Sequence, residues 1–138
     1  MKKVWKFGCR WNEEGFPESI TKAVFKNCGV VFAYTYQVFD MNEGDLVIVA
    51  DGQTVIAIGQ AITPPAILCK FDWTETQKKS GLNEYLNDSR IIGCKVKYHW
   101  LEEQEKFPYC KQGKFLHASK IEQEVNNLFA TLAAKGLM

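Results

Sequence analysis

The stretch from Glu43 to Thr63 (EGDLVIVADGQTVIAIGQAIT) constrains the fold more than any other part of this chain. Two apolar runs, Leu46 to Ala50 and Val55 to Ile62, flank the dipeptide Asp51-Gly52. Both residues tolerate positive φ at little cost, so the pair is expected at the centre of a tight two-residue turn. Val47, Ile48, Val49, Thr54, Val55, Ile56 and Ile58 are β-branched and favour strand over helix. Neither run alternates cleanly between apolar and polar residues. The expectation is a central hairpin covered on both faces.

A chain of 138 residues with 46% apolar and 24% charged residues is ordinary globular material, large enough for one domain with a real core. A formal net charge of +1 excludes a bulk field that would draw nucleic acid or an acidic membrane, though it leaves room for a local basic patch. No apolar run reaches the length of a membrane span, and the start Met1-Lys2-Lys3-Val4 lacks a signal-peptide core, so no membrane partner and a cytoplasmic location are expected. The five cysteines (Cys9, Cys28, Cys69, Cys94, Cys110) contain no CxxC pair, and neither histidine, His99 or His117, sits at ligand spacing from them. They read as free thiols, mostly in the core, with no metal and no cofactor expected.

Around the hairpin, periodicity supplies the other elements. Lys3 to Trp11 alternates, with Trp5, Phe7, Cys9 and Trp11 on one side, and predicts a half-buried strand. A polar loop at Asn12 to Gly15 leads to a short amphipathic helix over Pro17 to Asn27, stopped at Gly29. Gly29 to Gln37 is aromatic and β-branched and predicts a strand; Val38 to Gly44 reads as a loop or single turn. Pro64-Pro65 breaks the chain before a short strand over Ala66 to Phe71, and Trp73 to Asp88 reads mainly as a crossover loop, with one helical turn at Leu82, Tyr85 and Leu86. Arg90 to Leu101 alternates again and predicts a strand with Lys95, Lys97 and His99 on a basic outer face. Glu102 to Lys106 turns, Phe107 to His117 returns as a strand, and Ser119 with Glu122 forms a capping box for a last helix whose stripe is Ile121, Val125, Leu128, Phe129 and Leu132. The order predicts an α+β domain over residues 1–138: a small, strongly curved mixed sheet or open β-barrel with flanking helices.

The opening strand Val4-Trp5-Lys6-Phe7, the helix after it, and Gly44-Asp45-Leu46-Val47 leading to Val55-Ile56-Ala57-Ile58-Gly59 together resemble the PUA-like superfamily. The pattern is most similar to EVE-type domains and to the modified-DNA-reading domains of some restriction systems. The resemblance implies a non-catalytic module that holds a base of DNA or RNA, a modified base included, in an aromatic pocket; stacking there contributes about 1–3 kcal/mol per base. Residues suited to that role are Trp11, at the end of its strand, Trp73, in a polar stretch, Tyr34 and Tyr36, on one expected strand face, and Asp45, which could hydrogen-bond a base or anchor the strand start. At an inward position Trp11 reads first as core, and Trp73 reads equally as the pin of a loop. Arg10, Lys95 and Lys97 are the residues expected at phosphates, with Lys111 and Lys114 behind them. No phosphate loop, nucleophile elbow or HExxH motif is present; Cys94 with His99, or Cys110 with His117, are the nearest approach to a catalytic pair. The alternative function is a protein- or small-ligand-binding module on the same barrel.

Overall fold

The computed structural model describes residues 1–11 and 18–138; the acidic loop expected at 12–15 and the helix start at Pro17 lie outside them. The described strands are β1 (Val4–Gly8), β2 (Val30–Ala33), β3 (Leu46–Asp51), β4 (Thr54–Ala61), β5 (Ala66–Ile67), β6 (Ile92–Trp100), β7 (Phe107–Pro108) and β8 (Phe115–His117). Three α-helices accompany them among the described residues: α1 (Glu18–Cys28), α2 (Glu75–Lys79) and α3 (Glu122–Ala134). The strands form one mixed sheet in the order β2-β6-β4-β3-β1-β8, with β5 added beside β6 and β7 beside β4. β1 and β3 run parallel and the other pairs antiparallel. The sheet curls into a half-barrel because β6 changes partner along its length. Its first half, Ile92 to Lys95, pairs with β2, and its second half, Val96 to Trp100, pairs with β4. Gly93 permits the close approach at that crossover: a Cβ there would overlap the Val31 carbonyl and crowd Phe32 Cβ at 2.8 Å.

The central hairpin is β3 and β4, and both strands are buried over most of their length. Its turn is displaced by one residue from the expectation. Asp51 pairs with Thr54, so the two-residue loop is Gly52-Gln53. Gly52 takes φ +65° and no residue other than glycine has positive φ among the described residues. A loop with positive φ only at its first position is the Gly-X kind of hairpin turn. The register also shifts just before the turn. Val49 faces Ala57 but Ala50 faces Val55, leaving Ile56 as an extra residue on β4. That bulge also explains why the run never alternates cleanly, since Val55 and Ile58 reach the same side of the sheet although three residues apart.

Two cores result, one on each face. Trp5, Phe7, Val47 and Val49 point into an aromatic core under α1, with Trp11, Phe25, Phe32 and Tyr85. Val4, Leu46, Ile48, Val55 and Ile58 point the other way, to Val125 and Leu132 of α3. β1 is therefore not half-buried as its alternation suggests. All five of its residues are buried, because α3 and the loop before β8 cover its second face. β2 ends at Ala33, and a 3₁₀ turn over Tyr36–Asp40 takes the place of the expected strand end, with Thr35 Oγ1 accepting from the Gln37 amide at 3.2 Å. The crossover after Pro65 is more ordered than a loop: α2 carries a full capping box between Thr74 and Gln77. The last helix has none. Ser119–Ile121 is a 3₁₀ turn, α3 starts without a side-chain cap, and Glu122 instead accepts from the Val4 amide at 3.0 Å. Its far end closes as expected at Gly136, with the Leu137 amide on the Leu132 carbonyl (2.9 Å) and the Gly136 amide on the Ala133 carbonyl (3.0 Å). No described helix is long and apolar enough to cross a membrane.

Candidate nucleic-acid interface

The residues expected around a base do not meet in one place. Trp11 is wholly buried, edge-on to Phe32 at 5.3 Å and to Tyr85 at 5.5 Å, and its Nε1 donates to the Gly8 carbonyl at 3.3 Å. Its ring is part of the aromatic core. Trp73 is 9% exposed and pins the crossover by donating to the Leu68 carbonyl at 3.0 Å. Tyr34 and Tyr36 share no strand face, because β2 ends before either. Arg90 lies over the Tyr34 ring at 4.5 Å, held by Asp88, while Tyr36 stands 60% exposed on the 3₁₀ turn. Asp45 takes the anchoring role: its Oδ2 accepts from Trp5 Nε1 at 2.8 Å and from the Asn42 amide at 2.9 Å.

The basic row on β6 is likewise divided. Lys95 turns back over the Trp73 ring, 5.1 Å from its centre, and reaches the Asp72 carbonyl at 3.5 Å. His99 Nε2 faces Glu105 at 3.5 Å. Lys97 is exposed between them. Neither catalytic pair gains support. Burial first, and the charge of Asp45 second, push the Cys94 thiol up to about 12, the reverse of an activated nucleophile. His117 is engaged by Glu122 at 2.7 Å and lies against the Trp5 ring, with Cys110 exposed in the preceding loop. Among the described residues no cluster of three or more His, Cys, Asp or Glu is placed to hold a metal ion.

Cationic side chains gather elsewhere. A cleft of about 460 Å³ opens where the end of β1, the tip of the hairpin and the loop at 111–114 come together, and Lys6, Arg10, Lys111 and Lys114 all line it. Glycines 8, 52 and 113 keep its walls low. No carboxylate is among the described lining residues; Asp51 stands beside them, its Oδ1 accepting from Arg10 Nε at 2.6 Å. Lys6 is only 3% exposed. Its ammonium donates to the carbonyls of Lys111 (3.3 Å) and Gly113, which ties the lysine-bearing loop to β1. Burial lowers its pKa, against an opposing influence from Cys9 and with a lesser push in the same direction from the charge of Lys114.

Of the residues expected at phosphates, Arg10, Lys111 and Lys114 thus converge, while Lys95 and Lys97 are on other ground. Lys6 is the cleft-lining residue that alternation misplaces, as an outward side chain of a half-buried strand. The signal for it is a lone lysine in VWKFG, a segment otherwise without a charge. Comparison of the chain with protein-family models, with curated proteins and with solved structures finds no match.

Proposed function

We propose that this domain binds nucleic acid, DNA or RNA, through phosphate contacts in the cleft between β1, the hairpin tip and the 111–114 loop. One observation carries the proposal: four cations from sequence positions as distant as 6 and 114 line one cleft, with no carboxylate beside them among the described lining residues. In a protein of net charge +1, such a local concentration gives an anion a preferred landing place that the whole-molecule field does not. A PUA-like kinship belongs to the same proposal and is supported by the curled mixed sheet and by the strand start at Gly44-Asp45. The finer expectation, a modified base between aromatic rings, would require Trp11 or Trp73 to leave the core. The proposal therefore rests on phosphate contact, assigns base reading to no ring, and includes no catalysis.

The test is fluorescence anisotropy with labelled single- and double-stranded oligonucleotides at two salt concentrations. Binding that weakens with salt, and that falls at least tenfold in the Arg10→Ala/Lys114→Ala variant, is the expected result. Absence of binding at low salt would overturn the proposal. A protein-binding module is the second reading, favoured by Tyr36 and Phe39, 60% and 47% exposed on one short turn.

A further inference from the structure

A second, smaller cleft of about 180 Å³ adjoins the first, and its lining includes Tyr109, Lys111, His117, Ser119 and Lys120. Lys111 lines both clefts and stands between them. They lie at the two ends of β8, which forms one end of the strand order and is paired only with β1. Lys114 precedes β8 on the side of the large cleft, and His117, Ser119 and Lys120 end and follow it on the side of the small one. Among the described residues no carboxylate lines the small cleft either. Glu122 stands behind His117, where it is already engaged by the imidazole at 2.7 Å and by the Val4 amide at 3.0 Å.

Resting on the function proposed above, we infer that the ligand is a nucleic-acid strand with several consecutive phosphates, laid along β8 from the large cleft into the small one. An isolated phosphate or a mononucleotide satisfies one cleft; only a repeating anion satisfies both. The spacing suits such a strand. The three residues of β8 extend about 10 Å at roughly 3.3 Å each, and a strand carries one phosphate per about 3.4 Å even when fully stacked. Lys111 bridges the two sites. Lys120, which is exposed, holds the far phosphate, with the Ser119 hydroxyl and the Tyr109 ring forming the rest of the wall.

The experiment compares inorganic phosphate, a 5′-phosphorylated mononucleotide and oligonucleotides of increasing length, using wild type, Lys120→Ala and Arg10→Ala/Lys114→Ala. Inorganic phosphate and the mononucleotide are read by competition against a labelled oligonucleotide. The inference expects affinity to step up once the ligand has more than one or two phosphates. Lys120→Ala should remove that step and lower the slope of log K against log salt by about 0.7 for a single strand. Oligonucleotide binding that is lost in Arg10→Ala/Lys114→Ala but untouched in Lys120→Ala, in affinity and in slope, would overturn the strand path and leave the large cleft standing. Binding that none of these substitutions alters would remove the function proposed for the large cleft itself.

Discussion

Two groups of basic residues are within reach of the same sheet, and they have opposite fates. Lys95, Lys97 and His99 are neighbours on one strand; Lys6, Arg10, Lys111 and Lys114 come from opposite ends of the chain. In the first group collinearity counts for little. β6 passes from β2 to β4 at Lys95–Val96, so each side chain meets different surroundings, an indole for Lys95 and a carboxylate for His99. In the second group a parallel pairing of β1 with β3 and an antiparallel pairing with β8 carry distant cations to one opening. Trp11 and Trp73 fall on the sealed side of this contrast. The lesson is that charges adjacent on one strand can be drawn into separate contacts, whereas sheet topology brings charges distant in sequence to one opening, even where two of them, Lys6 and Arg10, already have partners in the fold.

The sharpest way to break the contrast is to cut into the sealed side. Trp11→Ala removes a wholly buried indole from an aromatic cluster, and a loss of about 3–5 kcal/mol in unfolding free energy is expected by chemical denaturation. Oligonucleotide affinity of the molecules that remain folded should be unchanged. A variant that kept its stability and lost binding would place Trp11 in the site after all. Next in size is the paired comparison of charges. Arg10→Ala/Lys114→Ala should weaken oligonucleotide binding at least tenfold, about 1.4 kcal/mol, whereas Lys95→Ala/Lys97→Ala should stay within about twofold, since one of its lysines is already seated on Trp73. Equal losses from the two variants would mean a diffuse field and not a site.

Much of this architecture is legible in the sequence where a single element answers to a single pattern. The hairpin, α1, β6 and α3 follow from β-branched content and from period-two or helical stripes. What escapes has a physical reason in each case. The register of β3 against β4, with its bulge at Ile56, is a relation between two strands, and Asp51-Gly52 predicts a turn but not which two residues form its loop. β1 is buried on both faces because α3, more than a hundred residues later, covers the second one, and alternation cannot report a partner so distant. For the site, Arg10, Lys111 and Lys114 are visible as basic residues, yet their meeting is a property of the β1–β8 pairing. Asp45 shows the converse: a short-range anchor at a strand start is legible because Trp5 and Asn42 supply its donors locally or across one strand pair.

The cysteines sharpen the contrast between sealed and open ground. Cys9, Cys28 and Cys94 are buried in the aromatic core, and Cys69 and Cys110 are exposed. Alkylation of the native protein at neutral pH should therefore label two thiols quickly and three slowly, with all five reacting after unfolding; mass spectrometry counts them. Burial, then the charge of Asp51, pushes Cys9 from an ordinary 9.0 to about 12, and burial does the same to Cys94. A pKa raised by folding contributes stability that is whole below about pH 9 and is lost as pH rises toward 12. Lys6, lowered by burial, acts with the opposite sign over an overlapping range. Subtracting the pH profile of a Cys9→Ala/Cys94→Ala variant from that of wild type isolates the thiols, and the difference should decline with alkalinity.

The smallest effect tests the boundary of the open side. Among the described residues, Asp51 is an acid paired with a cation of the cleft: its Oδ1 holds Arg10 at 2.6 Å and its Oδ2 lies 3.8 Å from Lys22. Both pairs are partly exposed, so their loss should cost about 0–1 kcal/mol of stability. A phosphate entering the cleft competes with this carboxylate for the same guanidinium, and Arg10 must exchange one anion for the other. Asp51→Asn keeps the size of the side chain and an acceptor oxygen while removing the competing charge. Oligonucleotide binding should then tighten severalfold, more at low salt than at high salt, because the gain is electrostatic and screened. A weaker complex would carry a different meaning, that the carboxylate aims Arg10 at the ligand and does not withhold it. Combining Asp51→Asn with Arg10→Ala separates the two cases. If Asp51 acts by restraint, its substitution has little left to release once Arg10 is gone, and the double variant should bind like Arg10→Ala alone.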